Sequence, residues 1–312
     1  MNNIDIGLLA ISCLKGFGQH RLSRLVKTVD KYHPQRLCST QDLNFFDLIQ
    51  IGIEFNQFSE MLPISFFMDG YRKAEAIIEQ CDKENILIAT QFSKSFPKRL
   101  KMSNHLKDNS DECPIILYYF GDLSTLDQKQ CAAIIGTRHP TELGYQSNVM
   151  IAERLAEKNV TVVSGLATGC DQAAHLGCLN AGGKTAAFLP SPVSQVLPVS
   201  NRKLGEKIIE SGGCLLSEYP PSPKNFSVQN YYYVQRDRLQ AMASDVVITS
   251  EFNENSGTVH TLRYAKKYHR PIFALKDIAK SEQFALDFLN QEKINIRLFA
   301  ETDQLVKKFE NK

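Results

Sequence analysis

The sequence predicts an α/β fold, with a mostly parallel sheet, helices on both of its faces, and a small helical domain before it. Three observations carry this reading. From residue 85 onward, short apolar runs alternate with stretches of helical spacing. The connections between them are short, and strands alternating with helices on short links build parallel sheets. Before residue 85, only helical spacing recurs. The expected division is a helical domain over 1–84 and a sheet domain over 85–312.

A chain of 312 residues can fill one large domain or two of ordinary size. With 43% hydrophobic and 22% charged residues it reads as globular, not disordered. A net charge of +2 neither demands nor excludes nucleic acid, so any basic surface must be local. No basic start precedes an apolar core, and no run reaches membrane-spanning length, so a cytoplasmic location is expected. The eight cysteines include no C-x-x-C pair. They are expected to be reduced, buried small hydrophobes, with no metal bound.

Taken in order, Ile6, Leu8, Leu9, Ile11 and Leu14 lead into Lys15-Gly16-Phe17-Gly18, and Leu22, Leu25, Val26 and Val29 follow at helical spacing. Helix, Gly-x-Gly turn and helix resemble a helix-hairpin-helix, whose turn amides contact a nucleic-acid backbone. Lys15, Arg21, Arg24, Lys27, Lys31 and Arg36 outnumber Asp5 and Asp30, which a helical turn with a solvated basic face explains better than a nucleic-acid contact. Helices are expected over Asp42–Ile49 and Ser65–Asp82. Strands are expected over Asn85–Thr90 and Pro114–Tyr119, with a polar loop over Ser95–Cys113.

The central unit runs from Cys131 to Asp171. Its first strand, Cys131–Ile135, ends in Gly136-Thr137-Arg138. Val149, Ile151, Ala152, Leu155 and Ala156 mark a helix, and Val160–Val163 a second strand ending in Ser164-Gly165. Helix Asp171–Ala181, strand Thr185–Leu189, helix Arg202–Ser211 and strand Cys214–Ser217 come next. A long loop, Glu218–Gln235, holds Tyr219 and Tyr231-Tyr232-Tyr233. Helix Arg236–Ala243, strand Val246–Thr249, helix Thr258–Tyr268 and strand Ile272–Leu275 complete the alternation. One or two further helices, and no extra domain, are expected after that.

Two nucleotide motifs fail. Gly16-Phe17-Gly18 lacks the third glycine of G-x-G-x-x-G and follows no strand. Gly183-Lys184-Thr185 ends like a P-loop, but Cys178 stands where its first glycine should be, and the tripeptide precedes a strand. Lys184 could still direct a charge into the sheet crevice, or be an ordinary surface lysine. The loop Ser164-Gly165-Leu166-Ala167-Thr168-Gly169-Cys170-Asp171 combines small residues with a helix start, so its amides could face an anion. Asp171 and His175 read better as a cap and a local hydrogen bond than as an acid–base pair. Glu251 and Asn255-Ser256-Gly257-Thr258 repeat the pattern after a later strand, as a phosphate loop or an N-cap. Arg236 and Arg238, placed in a first helical turn, would oppose the macrodipole and so need a carboxylate or phosphate partner. Strand-end loops, arginines and tyrosines together suit single-stranded nucleic acid.

These residues resemble the DNA-processing protein A family (DprA, also called Smf). The likeness runs through Tyr119-Phe120-Gly121-Asp122-Leu123, Ile135-Gly136-Thr137-Arg138, Val162 to His175, Ala181-Gly182-Gly183-Lys184-Thr185, Leu216 to Pro221, Arg236-x-Arg238 and Ser256-Gly257-Thr258. It implies an extended Rossmann-like domain that binds single-stranded DNA, forms a homodimer and loads a RecA-type recombinase during natural transformation. Neither an enzyme activity nor a cofactor is implied. The family's G-S-R arginine falls on Arg138, with Gly136 and Thr137 before it; its lysine falls on Lys184, and its R-N-R arginines on Arg236 and Arg238. Ser164, Gly165, Gly169, Ser256, Gly257 and Thr258 complete the expected DNA-binding set. The family's central asparagine is Asp237 here, a negative charge inside that edge. The alternative is a small-nucleotide sensor or a phosphoribohydrolase-like enzyme, although Ser256-Gly257-Thr258 lacks the glycine pair and the catalytic glutamate of the latter's P-G-G-x-G-T-x-x-E signature.

Overall fold

The computed structural model describes residues 1–32, 43–59, 61–102, 110–221, 227–252, 256–275, 291, 293–294, 296–299, 306 and 309. The chain divides into two compact units, Met1–Tyr118 with Glu218–Pro221, and Tyr119–Ser217 with Ser222–Lys312.

In the first unit, helix α1 spans Asn3–Ser12, α2 Gln19–Tyr32, α3 Phe45–Glu54 and α4 Ile64–Glu84. The Asn2 side chain caps α1 by accepting from the Asp5 amide at 3.0 Å. Asn44 and Asp47 form a reciprocal capping box at the start of α3. α2 buries Leu22, Leu25, Val26 and Val29 on one face and leaves Arg21, Arg24 and Lys31 exposed, while Lys27 pairs with Asp111. The Gly-x-Gly turn is anchored by Phe17, which stacks on Phe58 with centroids 4.6 Å apart. Strand β1 covers Leu87–Thr90, and β2, its neighbour, Ile116–Gly121. Asp5, buried on α1, accepts from the hydroxyls of Thr90 and Ser93, which ties the helices to the end of β1. The expected boundary at 84/85 therefore lies inside this unit. Arg36, Cys38 and the start of the helix expected from Asp42 lie outside the described residues.

The second unit holds strands β3 (Cys131–Ile135), β4 (Thr161–Ser164), β5 (Thr185–Phe188), β6 (Cys214–Ser217), β7 (Val246–Thr249), β8 (Ile272–Leu275) and β9 (Ile296–Phe299). Between them run α5 (Glu142–Glu157), α6 (Cys170–Asn180), α7 (Arg202–Glu210), α8 (Asn230–Ala243) and α9 (Thr258–Lys267). The strand order is β6-β5-β4-β3-β7-β8-β9, and these pairings are parallel. Strands β3 to β7 are buried along their whole length, which is why they read as unbroken apolar runs and not as alternating ones. On one face, Ala132, Ile134, Val162 and Ile248 pack against Ile151, Leu155, Ala174 and Cys178 of α5 and α6. Burial pushes the thiols of Cys170 and Cys178 up to about 12, so they act as packing groups and not as nucleophiles.

The sheet and alternation match the expected extended Rossmann-like layout, with two differences. α8 starts at Asn230 and not at Arg236, so Tyr231, Tyr232 and Tyr233 form its first turn instead of a loop. After β8 the chain adds a parallel edge strand, β9, whose Ile296 pairs with Ile272. Most of the segment expected to carry C-terminal helices lies outside the described residues. No described helix is long and apolar enough to cross a membrane.

Candidate functional site

From β3 the chain order spreads one way to β6, then returns to the other side of β3 with β7. At such a reversal the loops of the two central strands diverge and leave a crevice at their carboxyl ends. A pocket of about 550 Å³ opens there. Its walls come from the tail of β3 (Gly136, Thr137, Arg138, His139), the turn after β4 (Ala167, Asp171), and the start of α9 (Ser256, Gly257, Thr258). α8 closes the floor.

Each wall is held by hydrogen bonds from backbone and side chains. The Thr137 amide donates to the Glu251 carbonyl at 2.8 Å, and the Thr137 carbonyl accepts from the Cys170 amide at 3.1 Å. Gly169, with φ +78°, backs this contact; a Cβ there would stand 2.5 Å from the Thr137 carbonyl oxygen. The Glu251 carboxylate accepts from the Thr141 amide at 2.8 Å and from the Thr141 hydroxyl. Thr141 in turn caps α5. Arg138 is therefore an exposed guanidinium on a fixed turn, and its Cζ lies 4.9 Å from the centroid of the Tyr233 ring. Opposite, Ser256 accepts from the Thr258 amide at 3.3 Å, and their hydroxyls are 2.8 Å apart. After β4, the Asn201 side chain donates to the carbonyls of Leu166 and Ala167, at 3.0 and 3.1 Å. Those two bonds pin the turn in which Leu166 takes a left-handed φ of +57°.

The floor is ionic and buried. Arg236 is 5% exposed, and its Nη1 lies 3.7 Å from Asp171 and 3.4 Å from the Phe188 carbonyl oxygen. Its Nε is 3.3 Å from Asp237 Oδ1, close enough for an ion pair but without hydrogen-bond alignment. Burial raises the pKa of both carboxyls, that of Asp237 to about 7, and in each case Arg236 opposes the rise. His175 turns away from the pocket: its Nδ1 is 2.7 Å from the Thr185 hydroxyl, and burial pushes its pKa down to about 3. Asp171 and His175 are therefore not an acid–base pair. Among the described residues, no three His, Cys, Asp or Glu side chains converge as metal ligands do.

Of the expected binding set, Gly136, Thr137, Arg138, Arg236, Ser256, Gly257 and Thr258 line the pocket. Ser164 is fully buried and donates to the Ile134 carbonyl at 2.7 Å. Gly165 lies under Arg236, and Gly169 under Thr137. These three shape the site from behind. Arg238, 4% exposed, donates to the Gln235 carbonyl and does not line the pocket. Lys184 immediately precedes β5, at the amino ends of the strands, beside Gly212. The premise that Arg236 and Arg238 oppose the macrodipole in a first turn is corrected, since both lie in the helix interior. Tyr219 groups with the first unit. Glu254 and Asn255 lie outside the described residues. Sequence reading missed Asn230, Gln240 and Asn201. Asn230, Tyr233, Asp237 and Gln240 repeat at helical spacing, a signal that becomes visible once α8 is started at Asn230.

Residues 87–309 match the family model described as DNA recombination-mediator protein A. Protein Smf of Synechocystis sp. is 36% identical over 165 residues, covering 52% of this chain and 40% of the relative. DNA processing protein DprA of Bacillus subtilis is 28% identical over 205 residues, 66% of this chain and 65% of the relative. The chain thus spans 40 to 65% of the length of these two curated relatives. Among solved structures, DNA processing protein A from Helicobacter pylori, described for its unique single-stranded DNA binding mode, aligns with TM-score 0.61 at 29% identity, over 72% of this chain and 96% of its own. DprA from Streptococcus pneumoniae aligns with TM-score 0.72 at 23% identity over 99% of this chain and 98% of its own, a likeness of fold.

Proposed function

The chain belongs to the DNA recombination-mediator protein A family, and we propose that it binds single-stranded DNA across the carboxyl ends of β3, β4 and β7. The observation that carries this reading is Arg138, exposed on a fixed turn over the face of Tyr233 at the mouth of the pocket. A cation beside an aromatic face offers a phosphate contact and a stacking platform together, which single strands use without strong sequence preference. The Ser256 and Thr258 hydroxyls on the facing wall extend the polar path, and the single-stranded DNA binding mode of the Helicobacter pylori relative supports it.

The strand is held mainly through phosphates, so binding weakens with salt. With about four phosphate contacts, log affinity falls against log salt with a slope near about −3, from about −0.7 for each contact. Filter binding of a single-stranded oligonucleotide at two salt concentrations tests this. A salt-independent affinity would overturn it.

On family membership, we further propose that the protein is a homodimer that loads a RecA-type recombinase during DNA uptake, and a mediator, not an enzyme. Asp171 and Glu251 are engaged by Arg236 and Thr141, which supports a binding pocket in which these two carboxylates hold the fold. Recombinase filament growth on protein-coated single strands, with and without the chain, tests loading. No acceleration would remove that half of the proposal. Release of ribose from adenosine monophosphate would favour the phosphoribohydrolase-like alternative.

A further inference from the structure

The pocket floor carries more hydrogen-bonding capacity than the protein uses. Asp237 Oδ1 accepts from Gln240 Nε2 at 3.1 Å and faces Arg236 Nε at 3.3 Å. Among the described residues, no hydrogen bond reaches Asp237 Oδ2. Gly257 faces Oδ2: among the described residues outside its own turn, a Cβ built there would meet only Oδ2 within 4 Å, at 3.8 Å. Gln240, 2% exposed, has an Oε1 with no hydrogen-bond partner among the described residues, and the same holds for Arg236 Nε. All three side chains line the pocket. Buried polar groups in folded proteins are satisfied by protein, water or ligand, so these groups, gathered on one pocket floor, can take the donors and acceptors of a bound molecule.

We infer that this floor reads a nucleobase: Asp237 Oδ2 accepts an N–H from the exocyclic amine of cytosine, adenine or guanine, while the phosphate of that nucleotide lies at Arg138. The inference rests on the single-stranded DNA reading above and adds a base preference to it. A carboxylate accepts well from cytosine N4. Thymine offers a single edge N–H between two carbonyl oxygens, and bringing it to Oδ2 would force those oxygens towards a negative charge. Bases with an amine are therefore preferred over thymine. Burial holds the Asp237 carboxyl near about 7, so the preference strengthens as pH rises through that value and the carboxylate fills. The charged groups acting on it are Arg236 from its own helix, Asp171 from α6 and Arg138 from the β3 turn, with His260 of α9 lining the same pocket.

The position of Oδ1 between two donors fixes what Asp237→Asn does. The amide keeps its oxygen towards Gln240 and Arg236 and turns its NH₂ into the pocket, replacing an acceptor with a donor. The test is fluorescence anisotropy with labelled deoxycytidine and thymidine homopolymers of equal length, on wild type and Asp237→Asn. The wild type should bind the cytidine strand about tenfold more tightly. In Asp237→Asn the preference should vanish or reverse. Equal affinities in the wild type would overturn the inference while leaving DNA binding standing. A cytidine preference that survives in the variant would overturn the role of Asp237. Failure to bind either strand would bring down the DNA reading itself, and this inference with it. Competition by deoxycytidine against thymidine monophosphate, on the wild type alone, repeats the comparison without relying on the variant's folding.

Discussion

The Arg236 guanidinium lies 3.7 Å from the Asp171 carboxylate over a glycine whose missing side chain leaves it room: a Cβ on Gly165 would stand 1.1 Å from Arg236 Nη1 and push the guanidinium aside. The arginine links α8 to the turn after β4 and also neutralises Asp237. Replacing it with methionine leaves two buried carboxyls without their cation, and breaking a buried pair this way costs about 3–5 kcal/mol. Gly165→Ala should be destabilising through the same arginine. In a double-mutant cycle by urea denaturation, the alanine should cost much less once Arg236 is methionine. Additive costs would show that the two residues act separately.

Arg138→Ala should separate binding from stability. The side chain is exposed on a turn that is fixed by Thr137, Gly169 and Glu251, so the melting temperature should stay unchanged. Single-stranded DNA affinity should fall, with the salt slope shallower by about 0.7. Unchanged affinity and slope, measured by filter binding, would remove Arg138 from the site.

How much of this site was legible in the sequence differs from residue to residue. Strands β3 and β4 are buried on both faces, so their apolar runs and the small residues after them announced a strand-end loop directly. The start of α8 was hidden because three consecutive tyrosines after a proline-rich loop show no helical period of their own. Arg238 entered the expected set through the family's R-N-R motif, and the structure places it outside the pocket lining. Two positions on a helix are about 200° apart, so Arg236 and Arg238 cannot share a face. Lys184 was placed correctly before its strand, but a residue before a parallel strand lies at the amino edge, away from the crevice.

Asp237 should leave a signature in stability against pH. Burial raises its pKa from 3.8 to about 7, so the folded protein holds a proton that the unfolded chain releases. The stability tied to this group is complete below 3.8 and is lost as pH rises to about 7, by up to about 1.4 kcal/mol per pH unit. Asp237→Asn removes that loss, so its stability relative to wild type should grow across the window. His175, with its pKa lowered to about 3, works in the opposite sense, losing stability as pH falls; it is present in both proteins and cancels in the difference. Chemical denaturation of both proteins across this range checks the sign. Parallel curves would show that Asp237 stays ionised.

Lys184→Ala should change single-stranded DNA affinity little, because the residue sits at the edge opposite Arg138. A loss comparable to that of Arg138→Ala, in the same filter assay, would mean that the strand wraps round to the amino edge.

The bond from Glu251 to Thr141 spans 110 residues of sequence. The turn that presents Arg138 is therefore fastened by a part of the chain made long after it, and its geometry is a late event in synthesis. While the ribosome is still translating the stretch before β7, the arginine is present but its mount is not, and the growing chain has no assembled site with which to capture a passing strand. On the proposed reading, competence to bind should therefore appear only after the last central strand has been made. Nascent chains arrested before residue 246 should ignore an oligonucleotide that chains released after α9 retain.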